Sequence, residues 1–137
     1  MLCINCSNQK TNVVNSRTHK SSAQVWRRRR CPICQCTFTT YERVSSADEL
    51  SVQDAAGKRT AFKPGKLILS VLNCLNYSEE KAAQAFWLIE TIENQLLKKA
   101  DLLVTKEDIA SITHKTLTSF DKLAGEQYAV RHRRRSL

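Results

Sequence analysis

Residues 27–34 read Arg27-Arg28-Arg29-Arg30-Cys31-Pro32-Ile33-Cys34: four arginines run directly into a Cys-x2-Cys turn. A second such turn, Cys3-Ile4-Asn5-Cys6, lies 24 residues upstream. A Cys-x2-Cys turn aims two thiolates at one point, and two such turns complete a tetrahedron. Four soft sulfurs in that geometry suit Zn²⁺, so Cys3, Cys6, Cys31 and Cys34 are the metal-ligand candidates. With no open coordination position, the ion is structural. An iron–sulfur centre is the rival chemistry and a disulfide the weaker one, because the chain shows no secretory leader pattern. Cys36 is read as a spare thiol, exchange with Cys34 being the alternative, and Cys74 as a small core residue. His19, His114 and His132 match no ligand spacing and are expected to face solvent or pack.

Around the knuckles, Thr11–Arg17, Gln24–Arg30 and Thr37–Arg43 read as short strands. Val13, Val14, Val25, Trp26, Phe38 and Tyr41 supply their β-branched and aromatic content. The expectation is a small zinc ribbon of antiparallel strands, with a loop at Thr18–Ala23 absorbing the long spacer. Below ~50 residues a domain has little core, so metal binding is expected to supply most of the folding free energy. Strand alternation places two of the four arginines on each face, one pair for phosphates and the other for a groove or base edges. Core packing is the first expectation for Trp26, Phe38 and Tyr41, with base stacking as the alternative.

Charge divides the 137 residues in the same place. Residues 1–47 carry a net +7, residues 48–130 a net −2, and the last seven residues four more arginines. Clustered positive charge fits a polyanionic partner, bound with steep salt dependence. Two domains follow: a basic zinc-ribbon domain over 1–46, whose charge fits nucleic acid, and a helical domain over 47–137. The basic tail Arg131-His132-Arg133-Arg134-Arg135 is either a second phosphate contact or a free end. No apolar run approaches the ~18 residues of a membrane span, so a soluble chain is expected.

In the second half, Ser51–Phe62 reads as a hairpin turning at Ala56-Gly57. Pro64 opens a helix with Leu67, Ile68, Val71, Leu72 and Leu75 on one face. Ser78 reads as the cap of a second helix whose apolar face is Ala82, Ala85, Phe86, Ile89, Ile92 and Leu96. Thr105 begins a Thr-x-x-Asp cap ahead of Ile109, Ile112 and Leu117. A last helix runs from about Phe120, weakened by Gly125. The fold class is α+β: a ribbon, then a hairpin and four-helix bundle. No catalytic constellation is present, so no enzyme is expected.

These residues resemble a known family. Cys3-x2-Cys6, Val13-Val14-Asn15-Ser16-Arg17, the arginine run, Cys31-x2-Cys34 and Phe38-Thr39-Thr40-Tyr41-Glu42-Arg43 resemble the NrdR repressors of ribonucleotide reductase genes. In the second half, Gly57-x-Arg59-x-x-Phe62-x-x-x-Lys66-Leu67, Asp121-Lys122-Leu123-Ala124 and Tyr128-Ala129 resemble that family's ATP-cone. The resemblance implies a bacterial, cytoplasmic, nucleoid-associated repressor that binds paired operator boxes on double-stranded DNA. It also implies a homo-oligomer that responds to ATP or dATP. By position, Arg17 and Arg27 to Arg29 become DNA contacts, with Arg30 beside them. Val52, Arg59, Lys66 and Tyr128 become the nucleotide-pocket candidates.

The sequence departs from that pattern at several places. Trp26 stands at the first arginine of the family's run, Asn15 at an aspartate and Thr37 at an arginine. In the cone, Asp54 and Ala55 fall where a lysine pair is expected, Gly65 where an acid is, and Gly125 and His132 where two aromatics are. Exchanging a phosphate-facing lysine for Asp costs on the order of 2–5 kcal/mol when desolvated, which weakens binding in the family's pose. Lys58, Arg59, Lys63 and Lys66 remain to hold a nucleotide differently. Two other classes stay open beside the DNA-binding regulator. One is an RNA-binding or ribosome-associated ribbon; the other is a nucleotide-insensitive interaction adaptor.

Overall fold

The computed structural model describes residues 1–20 and 24–133, with the side chain of Arg133 left aside. The Thr18–Ala23 loop is therefore described only to Lys20, and Arg134 and Arg135 lie outside the described residues. The chain forms two compact units, Met1–Val44 and Ser45–Leu137.

The first unit is a three-stranded antiparallel sheet in the order β1-β2-β3. Its strands are β1 (Asn12–Thr18), β2 (Gln24–Arg30) and β3 (Thr37–Arg43). Successive residues alternate between faces, so the register sorts the side chains. Arg17, Trp26 and Tyr41 form one row across the sheet, as do Ser16, Arg27 and Thr40 in the next row. A register shift between Val13 and Asn15 bends β1 near the knuckles. Among the described residues, the buried apolar cluster here holds Cys3, Cys31 and Phe38, with Cys34 and Cys36 packed against it. Phe38 is the one aromatic that meets the packing expectation. Tyr41 is 63% exposed, because β3 alternation turns it away from that cluster.

The second unit opens with α1 (Ser46–Glu49), β4 (Ser51–Gln53) and β5 (Arg59–Ala61). Gly57, at φ +81°, makes the expected hairpin turn, and the Asp54 carboxylate accepts from the N–H groups of Ala56 and Lys58. Helices α2 (Pro64–Cys74), α3 (Lys81–Leu96), α4 (Lys106–Phe120) and α5 (Lys122–Arg133) follow. A sixth strand, β6 (Leu103–Thr105), pairs parallel to β4 and makes the hairpin a mixed sheet. It is entered through Asp101 and Leu102, both at positive φ. The core unites Leu50, Phe62, Leu67, Val71, Leu75, Ile92, Leu96, Val104, Leu117 and Tyr128 among others.

The expected Thr105 cap is present as a full capping box: its hydroxyl accepts from Asp108 N–H, and the Asp108 carboxylate returns to the Thr105 N–H. Ser78 is not a cap. Helix α3 begins three residues later, after Glu80, with no side-chain cap. Two apolar faces also shift. Ile68, Ala82 and Phe86 are exposed, and Leu88 is buried two residues after Phe86, while Cys74 is buried in the core as expected. Gly125 does not interrupt α5, which runs unbroken through it. A Cβ there would lie 2.1 Å from Thr118 Oγ1 and 2.9 Å from Thr118 Cα, so its bare backbone lets α5 close on α4.

Candidate metal centre and nucleic-acid face

The two knuckles are built alike. Ser7 N–H donates to Cys3 O, and Gln35 N–H donates to Cys31 O. Outside those turns, Cys3 N–H donates to Asn8 O and Cys31 N–H to Cys36 O, both at 2.9 Å. Each turn leaves through the left-handed region, Ser7 at φ 57° and Gln35 at φ 60°. That conformation turns the chain sharply and leaves both sulfurs of each turn on its inner side.

The sulfurs of Cys3, Cys6, Cys31 and Cys34 all lie within 4.8 Å of one another. Cys3 Sγ is 3.5 Å from Cys34 Sγ, and Cys6 Sγ is 3.6 Å from Cys31 Sγ. A disulfide needs ~2.05 Å, so no pair is bonded. A zinc tetrahedron with ~2.3 Å metal–sulfur bonds has edges of about 3.8 Å, which these separations approach. Titration behaviour fits the same vessel. Cys31 is drawn down to about 6, first by the Cys34 backbone N–H, then by that of Ile33 and the Cys6 sulfur. Cys34 is lowered as well, chiefly by the Asn5 side chain. Cys6 is pushed up to about 12: the Asn8 backbone draws it down, but crowding by the Cys34, Cys31 and Cys3 sulfurs and desolvation outweigh that. Sulfurs this close do not all ionise unaided, and a divalent cation removes the conflict.

Donors not anticipated from spacing surround the cluster. Asn5 N–H reaches Cys3 Sγ at 3.4 Å, and Asn8 Nδ2 reaches Cys31 Sγ at 3.7 Å. Such bonds orient metal-ligating sulfurs and temper their charge. Cys36 packs against the cluster but is not among the four. No histidine joins them among the described residues.

The arginines divide between the faces as alternation requires. Arg28 donates to Thr37 Oγ1 at 3.0 Å and to Thr39 Oγ1 at 3.1 Å, on the Trp26 face. On the other face, Arg29 Nε donates to Thr40 Oγ1 at 3.2 Å, and Arg27 forms an ion pair with Glu42 at 3.0 Å. Arg17 lies over the Trp26 ring, 5.8 Å from its centroid, and Arg30 is exposed. The threonines and Glu42 that hold these guanidiniums are found only through the β2–β3 register, which spacing along one strand does not reveal.

The nucleotide-pocket candidates fall in different surroundings. Val52 packs against the helical core, and Tyr128 belongs to it. Tyr128 is flanked by His114 at 6.5 Å and His132 at 5.8 Å between ring centroids. Arg59 and Lys66 are exposed, and Arg59 sits one row from Val52, hence on the opposite face of the hairpin.

Comparison with known proteins gives the chain its relatives. Residues 1–42 match the family described as "Transcriptional repressor NrdR-like, N-terminal domain". The chain is 35% identical over 134 residues to the "Transcriptional repressor NrdR" of Paraburkholderia phymatum, covering 98% of this chain and 81% of that protein. It is 32% identical to the protein of that name from Phenylobacterium zucineum, over 94% of this chain and 83% of the relative. The Lactobacillus gasseri protein of that name is 29% identical, with the same coverage.

Proposed function

The chain belongs to the NrdR family of transcriptional repressors, and from that premise we propose that it is a zinc-dependent regulator whose ribbon grips duplex DNA. One observation carries the reading. The four-sulfur cluster closes a sheet whose central strand bears Arg27, Arg28, Arg29 and Arg30 in succession. Zinc holds the two knuckles together and supplies no chemistry of its own. The arginines, with Arg17, then meet phosphates and base edges from a backbone that does not yield. The threonine hydroxyls at 37, 39 and 40 hold guanidiniums ready for contact, which lowers the ordering cost of binding.

In this reading residues 1–46 bind operator DNA, and residues 47–137 form a regulatory unit that assembles copies of the chain. An ATP or dATP response would pass through Lys58, Arg59, Lys63 and Lys66. The Asp54 carboxylate is committed to the hairpin turn, and its negative charge would oppose a phosphate held beside it. Sedimentation with and without ATP or dATP measures that arm.

The DNA reading is tested by footprinting zinc-loaded protein on fragments enriched from a random duplex pool. Protection of a defined site is expected, with affinity falling steeply between 50 and 200 mM salt (about 10³-fold or more for six or more phosphate contacts). Chelation should abolish it. Equal affinity for every duplex, or for folded RNA at the same salt, would overturn the assignment.

A further inference from the structure

Trp26 is out of place as a packing residue. The ribbon's buried cluster is made by Cys3, Cys31 and Phe38, and Trp26 belongs neither to it nor to the side chains packed on it. Its indole is half-buried in the centre of the sheet, directly between Arg17 and Tyr41 in one cross-strand row. The next row on that face is Asn15, Arg28 and Thr39, and the row on the other side brings Arg43 opposite Gln24. Arg30, opposite Thr37, lies on the same face.

Among the described residues four arginines without an ion pair, Arg17, Arg28, Arg30 and Arg43, lie on this face, against Arg29 alone on the other face of the sheet. Among the described residues the ribbon's ion pair, Arg27 with Glu42, lies on the opposite face. Phe38 also points that way, into the cysteine cluster. Trp26 is therefore an apolar plate set among Arg17, Arg28, Arg30 and Arg43. It is steadied by the Arg17 guanidinium 5.8 Å from its centroid. The neighbouring Tyr41, 63% exposed, extends the aromatic surface toward solvent.

Cations around an aromatic plate fit a groove whose rim is phosphate and whose floor offers something apolar. A β-ribbon enters the major groove of B-DNA, where the thymine 5-methyl is the apolar group on the base edges. We propose that Trp26 reads thymine: its indole packs on a thymine methyl while the surrounding arginines hold the flanking phosphates. This rests on the duplex-DNA reading above and names one contact within it.

The test uses the duplex that the full-length zinc protein enriches from a random pool, synthesised with thymidine or with deoxyuridine throughout. That exchange removes methyl groups and leaves every hydrogen-bonding edge intact. Fluorescence anisotropy at one salt concentration gives both affinities. The wild type should prefer the thymidine form by about four-fold for one buried methyl. Trp26→Ala should bind both forms alike while keeping its zinc. If Trp26→Ala loses zinc, Trp26→Arg keeps a long side chain on the strand and should likewise show no preference. Single deoxyuridine substitutions then locate the contact. Equal wild-type affinity for the two forms, or a preference surviving in a zinc-loaded Trp26 variant, overturns the thymine assignment and leaves DNA binding standing. A pool that yields no enriched duplex sinks the DNA reading and this contact together.

Discussion

Cys36 sits against the four-sulfur cluster without belonging to it. Its thiol is pushed up, by desolvation first and then by the charges of Cys3 and Cys34. The four other sulfurs converge within 4.8 Å of one another and complete a tetrahedron without it. Cys36→Ser is therefore expected to retain one equivalent of zinc, while Cys34→Ser and Cys6→Ser lose it, as measured by elemental analysis after desalting. Zinc loss in Cys36→Ser equal to that in Cys34→Ser would make Cys36 a ligand. The four cysteines were legible because ligand spacing is local, two residues within each knuckle. The left-handed exits were not, because Ser7 and Gln35 occupy positions where glycine would have announced the turn.

Contacts between elements were harder to see. Thr105 declared its cap through Asp108 three residues on, and Gly57 declared its turn. Strand β6 did not declare itself, since Leu103-Val104-Thr105 is three residues long and pairs with β4 some fifty residues away. Gly125 read as a weak point in α5, whereas its missing Cβ makes room for Thr118. Because the obstruction includes backbone at 2.9 Å, rotating the threonine does not relieve it. Gly125→Ala should lower unfolding free energy by about 1–3 kcal/mol despite better helix propensity. Urea titration checks this, and a stabilised variant would disprove the close approach.

The loop after α2 is tied to the α4–α5 junction by the Tyr77 hydroxyl, which donates to the Asp121 carboxylate. That bond holds the Asp121 pKa down, with the Leu123 N–H as second cause. Partial burial, then the Asp121 contact, pushes Tyr77 up to about 12 from 10.0. The lowered carboxylate stabilises fully above its unfolded value, ~3.9, and the stabilisation is lost as pH falls through the lower folded one. The raised tyrosine stabilises fully below 10 and is lost as pH rises toward 12. Tyr77→Phe should thus lower the urea midpoint at pH 7, with the gap from wild type narrowing above pH 10. A pH-independent gap would mean the hydroxyl bond contributes nothing.

Across the whole molecule, charge and core divide along the chain. Net charge is +7 over residues 1–47 and −2 over 48–130, a partition visible in composition alone. The cores are just as unequal. Among the described residues, three buried apolar side chains serve the unit Met1–Val44, against an extended cluster from Leu50 to Tyr128 in the other. Three buried side chains are too small a core to fold some forty residues by burial alone. Metal binding, with an apparent value of ~10–16 kcal/mol in small zinc modules, matches or exceeds the ~5–15 kcal/mol net stability of an ordinary domain and so decides whether the ribbon folds. Zinc removal at neutral pH should therefore melt the ribbon alone. Hydrogen exchange of β1, β2 and β3 amides should become fast, while amides of α2 to α5 keep their protection and ellipticity at 222 nm changes little. Acid should produce the same selective loss, since protons displace the metal from its thiolates as pH falls. If chelation instead unfolds both units in one cooperative step, the helical core depends on the ribbon; if it leaves the ribbon amides protected, zinc is not what holds the knuckles together.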